Sequence, residues 1–296
     1  MTAPALPGTH ALPGRALAAA GVTVLAWASA FVAIRGVGHG FGPGPLTLGR
    51  LLIGTVALGG LLLVRGRWVA PTQREWLLLV LCGLSWFAVY NLALNAAERR
   101  IDAGTAAMLV NVGPVLIALL AGALLGEGFP RPLLTGAAVA FAGAVVIGVA
   151  TTTDAHADGL GVVLSLLAAA TYAVGVLSQK PLLARLPALQ VTWIACAVAS
   201  VACLPAAPSL VHDLGSASAG QTAGLAYLGL VPTTLAFTTW AYALARVPAG
   251  RLAVTTYLVP PVTVLLAWPL LGEVPPALAL LGGALALAGV SITRRR

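Results

Sequence analysis

A chain of 296 residues in which 59% are hydrophobic and only 8% charged has too few polar side chains to cover the surface of a soluble domain, so its composition is that of an integral membrane protein. The formal charge of +8 is scattered in ones, twos and threes between apolar runs, which excludes a contiguous basic face for nucleic acid. Cys82, Cys196 and Cys203 lie inside apolar runs and are odd in number, so they read as small core residues, not as a disulfide framework.

About 20 apolar residues are needed to cross a hydrocarbon core of roughly 30 Å. Cutting the chain at charged and Pro/Gly-rich breaks predicts a cytoplasmic tail over 1–15 and ten spans, at 16–36, 45–64, 75–97, 103–125, 131–150, 159–183, 188–206, 221–245, 250–271 and 276–293. The first span has the look of a secretory signal, with Arg15, an apolar stretch and Ala28-Ser29-Ala30 in sequence. Its apolar character continues through Phe31-Val32-Ala33-Ile34, so it is expected to stay as a membrane helix.

Candidate polar positions follow in chain order, because a polar side chain inside a span is costly and marks either function or helix contact. Span 1 carries Trp27 and span 2 Arg50, the one basic side chain well inside a span. Span 3 carries Trp86, Tyr90, Asn91 and Asn95, with 86/90 and 91/95 stacked at i,i+4. Span 4 adds Thr105 and Asn111, and span 6 Tyr172 and Gln179. Span 8 adds Thr233, Thr234, Thr238, Thr239, Trp240 and Tyr242, and span 9 Thr255, Thr256 and Tyr257. Each side chain either lines a substrate site, bonds a neighbouring helix or sits in the interfacial aromatic belt. Arg50 either snorkels as packing or attracts a substrate carboxylate.

Sliding the chain on itself by 146 residues places Ala103-Gly104 on Ala249-Gly250, Pro114 on Pro260, Gly126-Glu127 on Gly272-Glu273 and Gly143 on Gly289. An offset of 145 pairs Trp27 with Tyr172 and Arg35 with Lys180. The chain therefore reads as a duplicated five-span unit, over 16–150 and 159–293. Five is odd, so the second copy enters the bilayer inverted.

With both termini inside, twelve of the sixteen basic residues fall at cytoplasmic ends, as positive-inside retention requires. Glu98, Asp102, Asp154, Asp158, Asp213 and Glu273 then fall at outer ends. Arginine far outnumbers lysine, fifteen to one, in an Ala/Gly/Leu/Val/Pro-rich chain, which hints at a GC-rich bacterial genome and hence a bacterial cytoplasmic membrane.

Glu127 and Glu273 end apolar runs just before prolines, where a carboxylate can cap the next helix or bind a coupling ion. Pro114 and Pro260 each free a backbone carbonyl within a span and are candidate hinges for alternating access. The stripes Gly136/Ala140/Gly143 and Gly282/Ala286/Gly289 permit close helix approach, for internal packing or a homodimer.

The segments "WASAFVAIRGV" (Trp27 to Val37), "PLTLGR" (Pro45 to Arg50), "AGTAAMLVNVGPVLIALLAGALLGE" (Ala103 to Glu127) and "PAGRLAVTTYLVPPVTVLLAWPLLGE" (Pro248 to Glu273) resemble the EamA family of the drug/metabolite transporter superfamily over nearly the whole chain. That resemblance implies an all-α integral membrane protein of ten transmembrane helices in two inverted five-helix repeats. It also implies a secondary transporter, commonly an exporter of amino acids or other small metabolites. His10, His39, His156 and His212 fall in termini or loops and no His/Asp/Glu cluster could hold a metal, so neither an enzyme nor a cofactor is expected. No filter-like loop or ring of like charges suggests a channel. A lipid or lipid-linked carrier of the same superfamily is the rival reading.

Overall fold

The computed structural model describes residues 14–65, 67–124, 131–152, 159–246, 252 and 255–292. Among them every regular element is helical. In chain order these are α1 (Gly14–Val37), α2 (Pro43–Arg65), α3 (Gln73–Cys82) running through a π-helix (Gly83–Val89) into α4 (Tyr90–Ala97), α5 (Ala103–Val110), α6 (Gly113–Leu124) and α7 (Arg131–Thr152). Then follow α8 (Gly159–Leu182), α9 (Ala188–Ala202), α10 (Ala207–Ser216), α11 (Ala219–Leu228) running through a π-helix (Gly229–Leu235) into α12 (Ala236–Arg246), α13 (Val259–Leu271) and α14 (Ala277–Ile292).

Among the described residues five helical stretches are long and apolar enough to cross a membrane, at Gly14–Val37, Pro43–Val64, Gln73–Ala97, Gly159–Leu182 and Ala219–Arg246. The pair Ala188–Ala202 and Leu204–Ser216 qualifies together but bends by 54°. Pro205 has no N–H to continue the helix, so the expected span over 188–206 turns there and its helix runs on to Ser216. Shorter apolar helices occupy the remaining expected spans.

The internal repeat is visible in detail. Thr72 caps α3, accepting from the Glu75 N–H and donating its own N–H to the Glu75 carboxylate, while Ser218 caps α11 with Gln221, the same capping box 146 residues later. The two π-helices begin at Gly83 and Gly229, again 146 apart. Each glycine admits a neighbouring helix: a Cβ on Gly83 would lie 2.7 Å from the Ala195 carbonyl, and one on Gly229 2.6 Å from the Ile53 side chain.

Helix directions follow from the contacts. Thr23 bonds Thr239 at 2.7 Å, Ser29 bonds Tyr227 at 2.6 Å and Val37 packs on Gly224, so α1 runs antiparallel to the 219–246 stretch. Likewise Gly161 packs on Arg100 and Ile101 while Gly175 packs on Trp86, so α8 runs antiparallel to 73–97. α2 meets its repeat partner α9 antiparallel, with Gly59 at Trp193 and Gly44 at Ala206. α7 meets α14 in the same way, with Gly143 at Ala286 and Gly289 at Gly136. A Cβ on Gly143 would lie 2.5 Å from the Ala286 nitrogen, so the small-residue stripes serve packing within the chain.

Candidate functional site

Between the two halves lies a pocket lined by side chains of both. Of the candidates, Trp27, Arg50, Trp86, Tyr90, Asn91, Asn111, Pro114 and Tyr172 line it. Thr256, among the polar positions of span 9, lines it too, whereas sequence reasoning missed Phe237 and Val259, and the apolar face of α1 at Ala30, Phe31 and Ile34. Phe237 was recoverable, since it sits one turn from Thr233 and 146 positions from Asn91.

One wall is aromatic. Trp27 meets Phe237 at 5.5 Å and Trp240 at 5.1 Å, and Trp86 meets Phe237 at 4.9 Å and Tyr172 at 5.3 Å between ring centroids. The two π-helices present this wall, since Trp86 stands inside the first and Phe237 follows the second. A π-turn offsets the register of the side chains that follow, a common device at functional positions.

The polar side is sparse. Arg50 is 4% exposed, and its Nε donates to Thr233 Oγ1 at 3.2 Å. Thr233 is fixed in turn by its own bond to the Leu228 carbonyl at 2.8 Å. Asn91 donates to the Phe87 carbonyl at 2.7 Å and Asn111 to the Thr256 carbonyl at 2.9 Å, while the buried Oδ1 of each has no hydrogen-bond partner among the described residues. The walls thus hold a cation and two unpartnered acceptors beside aromatic rings, a set of groups suited to both ends of a zwitterion with an apolar side chain.

Several candidates lie elsewhere. Asn95 donates to Thr47 Oγ1 at 2.8 Å, and Thr239 is paired with Thr23, so both join helices instead of facing the cavity. Trp240 stands behind Trp27. Tyr257 packs with Val115, Ala137 and Ala140, while its neighbour Thr256 in the 3-10 turn at Thr255–Leu258 lines the cavity.

Pro114 and Pro260 do not stand within continuous helices. The first stretch breaks at Asn111-Val112 and the second at the 3-10 turn, and each proline falls in the first turn of the helix that restarts, where its missing N–H costs nothing.

Glu127 lies outside the described residues. Glu273 does not cap the following helix, since Pro275 and Pro276 there have no N–H to offer. Its carboxylate instead accepts from Arg35 Nε at 2.6 Å and from the Ala103 N–H at 3.4 Å, at the positive start of α5. Arg35 Nη1 also donates to the Glu98 carbonyl at 2.5 Å. At the opposite end of the bundle the repeat partner Lys180 donates to the Leu244 carbonyl at 3.1 Å. There Arg185 pairs with Glu75, Nε to Oε1 at 2.7 Å, and with the Ala70 carbonyl at 2.9 Å. Glu98, expected at a solvated rim, is 1% exposed.

The sequence model of the EamA-like transporter family matches residues 14–149 and 159–295. A probable terminal-alkyne amino-acid exporter of Streptantibioticus cattleyicolor is 41% identical over 93% of this chain and 92% of its own. A probable amino-acid metabolite efflux pump of Salmonella typhimurium is 28% identical over 70% of this chain and 72% of its own. A solved crystal structure, 20% identical, superimposes with a TM-score of 0.66 over 96% of this chain and 97% of that one, a likeness of fold.

Proposed function

The chain belongs to the EamA-like transporter family, and from that premise we propose that it exports small amino-acid-like metabolites by alternating access through the cavity between its halves. The observation that carries the substrate class is the convergence of Arg50, Asn91 and Asn111 on an aromatic-walled cavity. The substrate carboxylate meets the Arg50 guanidinium, its ammonium meets the two open Oδ1 atoms, and its side chain lies on Trp27, Trp86 and Phe237. Names of relatives that export amino acids support the same class. A multiply charged phosphate ester would find too few donors here.

In this reading ten spans form two inverted five-helix repeats, over 16–150 and 159–293, in a bacterial cytoplasmic membrane with both termini inside. Antiparallel packing of α2 on α9 and of α7 on α14 supports inversion, since an in-plane two-fold axis sets each element against its own copy in that sense. The breaks before Pro114 and Pro260 are the hinges, and the Arg35–Glu273 and Arg185–Glu75 pairs are the closures at the two ends. In proteoliposomes, labelled leucine and propargylglycine should equilibrate faster than in empty vesicles. No flux for a broad amino-acid panel, with a lipid crossing leaflets instead, would replace this reading with a lipid carrier.

A further inference from the structure

Glu98 is the buried acid that neither the packing nor the substrate site accounts for. It follows the last residue of α4 and is 1% exposed, and both of its carboxyl oxygens are buried without a hydrogen-bond partner among the described residues. Arg35 reaches this residue but gives its Nη1 to the main-chain carbonyl and its Nε to Glu273. A carboxyl placed for structure would accept those donors, because burying an unpaired carboxylate is costly.

The surroundings define what the group can do. The charged and titratable groups near it are Arg35 on α1, Arg50 on α2, Tyr90 on α4, Asp102 before α5 and Glu273 after α13. Burial pushes the Glu98 carboxyl well above the usual carboxylate range; Glu273 and Asp102 push the same way, and Arg35 and Arg50 oppose them. Burial thus favours the neutral acid here, and contact with water would favour the ionised form. Its position is also tied to the cavity, because Asn91, Leu94 and Glu98 follow at i, i+3 and i+7 on one helical stripe, and the first two line the cavity.

We propose that the Glu98 carboxyl is the proton-binding site that couples substrate export to a proton gradient. The inference rests on the transport reading above. When the Arg35–Glu273 closure opens, the carboxylate takes a proton from water at that end. It is carried as the neutral acid through closure, and the proton passes to water in the cavity when the opposite end opens. An ammonium held at Asn91 Oδ1 stands on the same stripe and favours the ionised form, so substrate binding expels the proton and proton binding weakens substrate, as reciprocal linkage requires.

The test uses the purified full-length protein in proteoliposomes, with labelled leucine as probe in two assays, exchange at equal pH and accumulation driven by a pH gradient. Wild type should do both, and Glu98→Gln, the mimic of the protonated acid, should still exchange but accumulate less than a tenth as much. Glu98→Asp should restore accumulation with a shifted pH profile. Gradient-driven accumulation that survives Glu98→Gln, or is missing from an exchanging wild type, overturns the coupling site. A wild type that exchanges nothing removes the transport reading itself, which the equal-pH assay tells apart. If Glu98→Gln does not fold, proton release decides, since leucine added to weakly buffered wild type should release about one proton per molecule bound, and no release contradicts the proposal.

Discussion

Asn111 Nδ2 donates to the main-chain carbonyl of Thr256 at 2.9 Å, and that bond joins the break in one repeat to the break in the other. Asn111 aligns with Tyr257 across the 146-residue offset, so the contact is made almost on the axis relating the halves. Both ends of the bond lie at the cavity. Asn111→Leu should therefore slow amino-acid flux by about tenfold, from the loss of a buried hydrogen bond and an acceptor, with membrane expression retained. Flux equal to wild type would show that the bond is packing alone.

Arg50 is expected to act on affinity. Arg50→Lys keeps the charge but loses the planar fork and the Nε bond to Thr233, so the concentration for half-maximal exchange should rise by about tenfold or more. Arg50→Met should do worse. Normal affinity in Arg50→Met would make the residue a packing element.

The ends of the bundle give a topology test. Arg35 and Lys180 cap main-chain carbonyls at opposite ends. With single cysteines introduced at positions 35 and 180 in intact cells, a membrane-impermeant thiol reagent should modify position 35 and spare 180. Equal modification would contradict the inverted arrangement.

Much of this site was legible in the sequence, because polar residues in apolar runs are few and most have one of two uses. Trp27, Arg50, Trp86, Asn91, Asn111 and Tyr172 were selected on that ground and meet at the cavity. What was hidden depends on register and tertiary neighbours. No pattern in Thr255-Thr256-Tyr257 reveals the 3-10 turn that swaps Thr256 for Tyr257. Asn95 and Thr239 look like lining residues until Thr47 and Thr23 are placed beside them. Glu98 was obscured by Arg99 and Arg100, which make the segment read as a solvated loop, although α1 and the end of α13 cover it.

The α7–α14 contact predicts a stability effect free of any functional one. A Cβ on Gly282 would lie 2.8 Å from the Gly143 carbonyl and 2.9 Å from the Ile147 nitrogen, so backbone would have to move. Gly282→Ala should destabilise the protein by about 1–3 kcal/mol, the usual cost of overpacking, read as a lower melting temperature in detergent. An unchanged melting temperature would show that the helices do not approach so closely.

Selection of a zwitterion by the Arg50 cavity is the property on which the transport reading turns. Its most direct measurement is counterflow of labelled leucine into proteoliposomes preloaded with leucine, or with isopentylamine, which keeps the ammonium and side chain but has no carboxylate. Strong counterflow is expected with leucine, little with the amine, and loss of that discrimination in Arg50→Met. Equal counterflow from both preloads in wild type would contradict it.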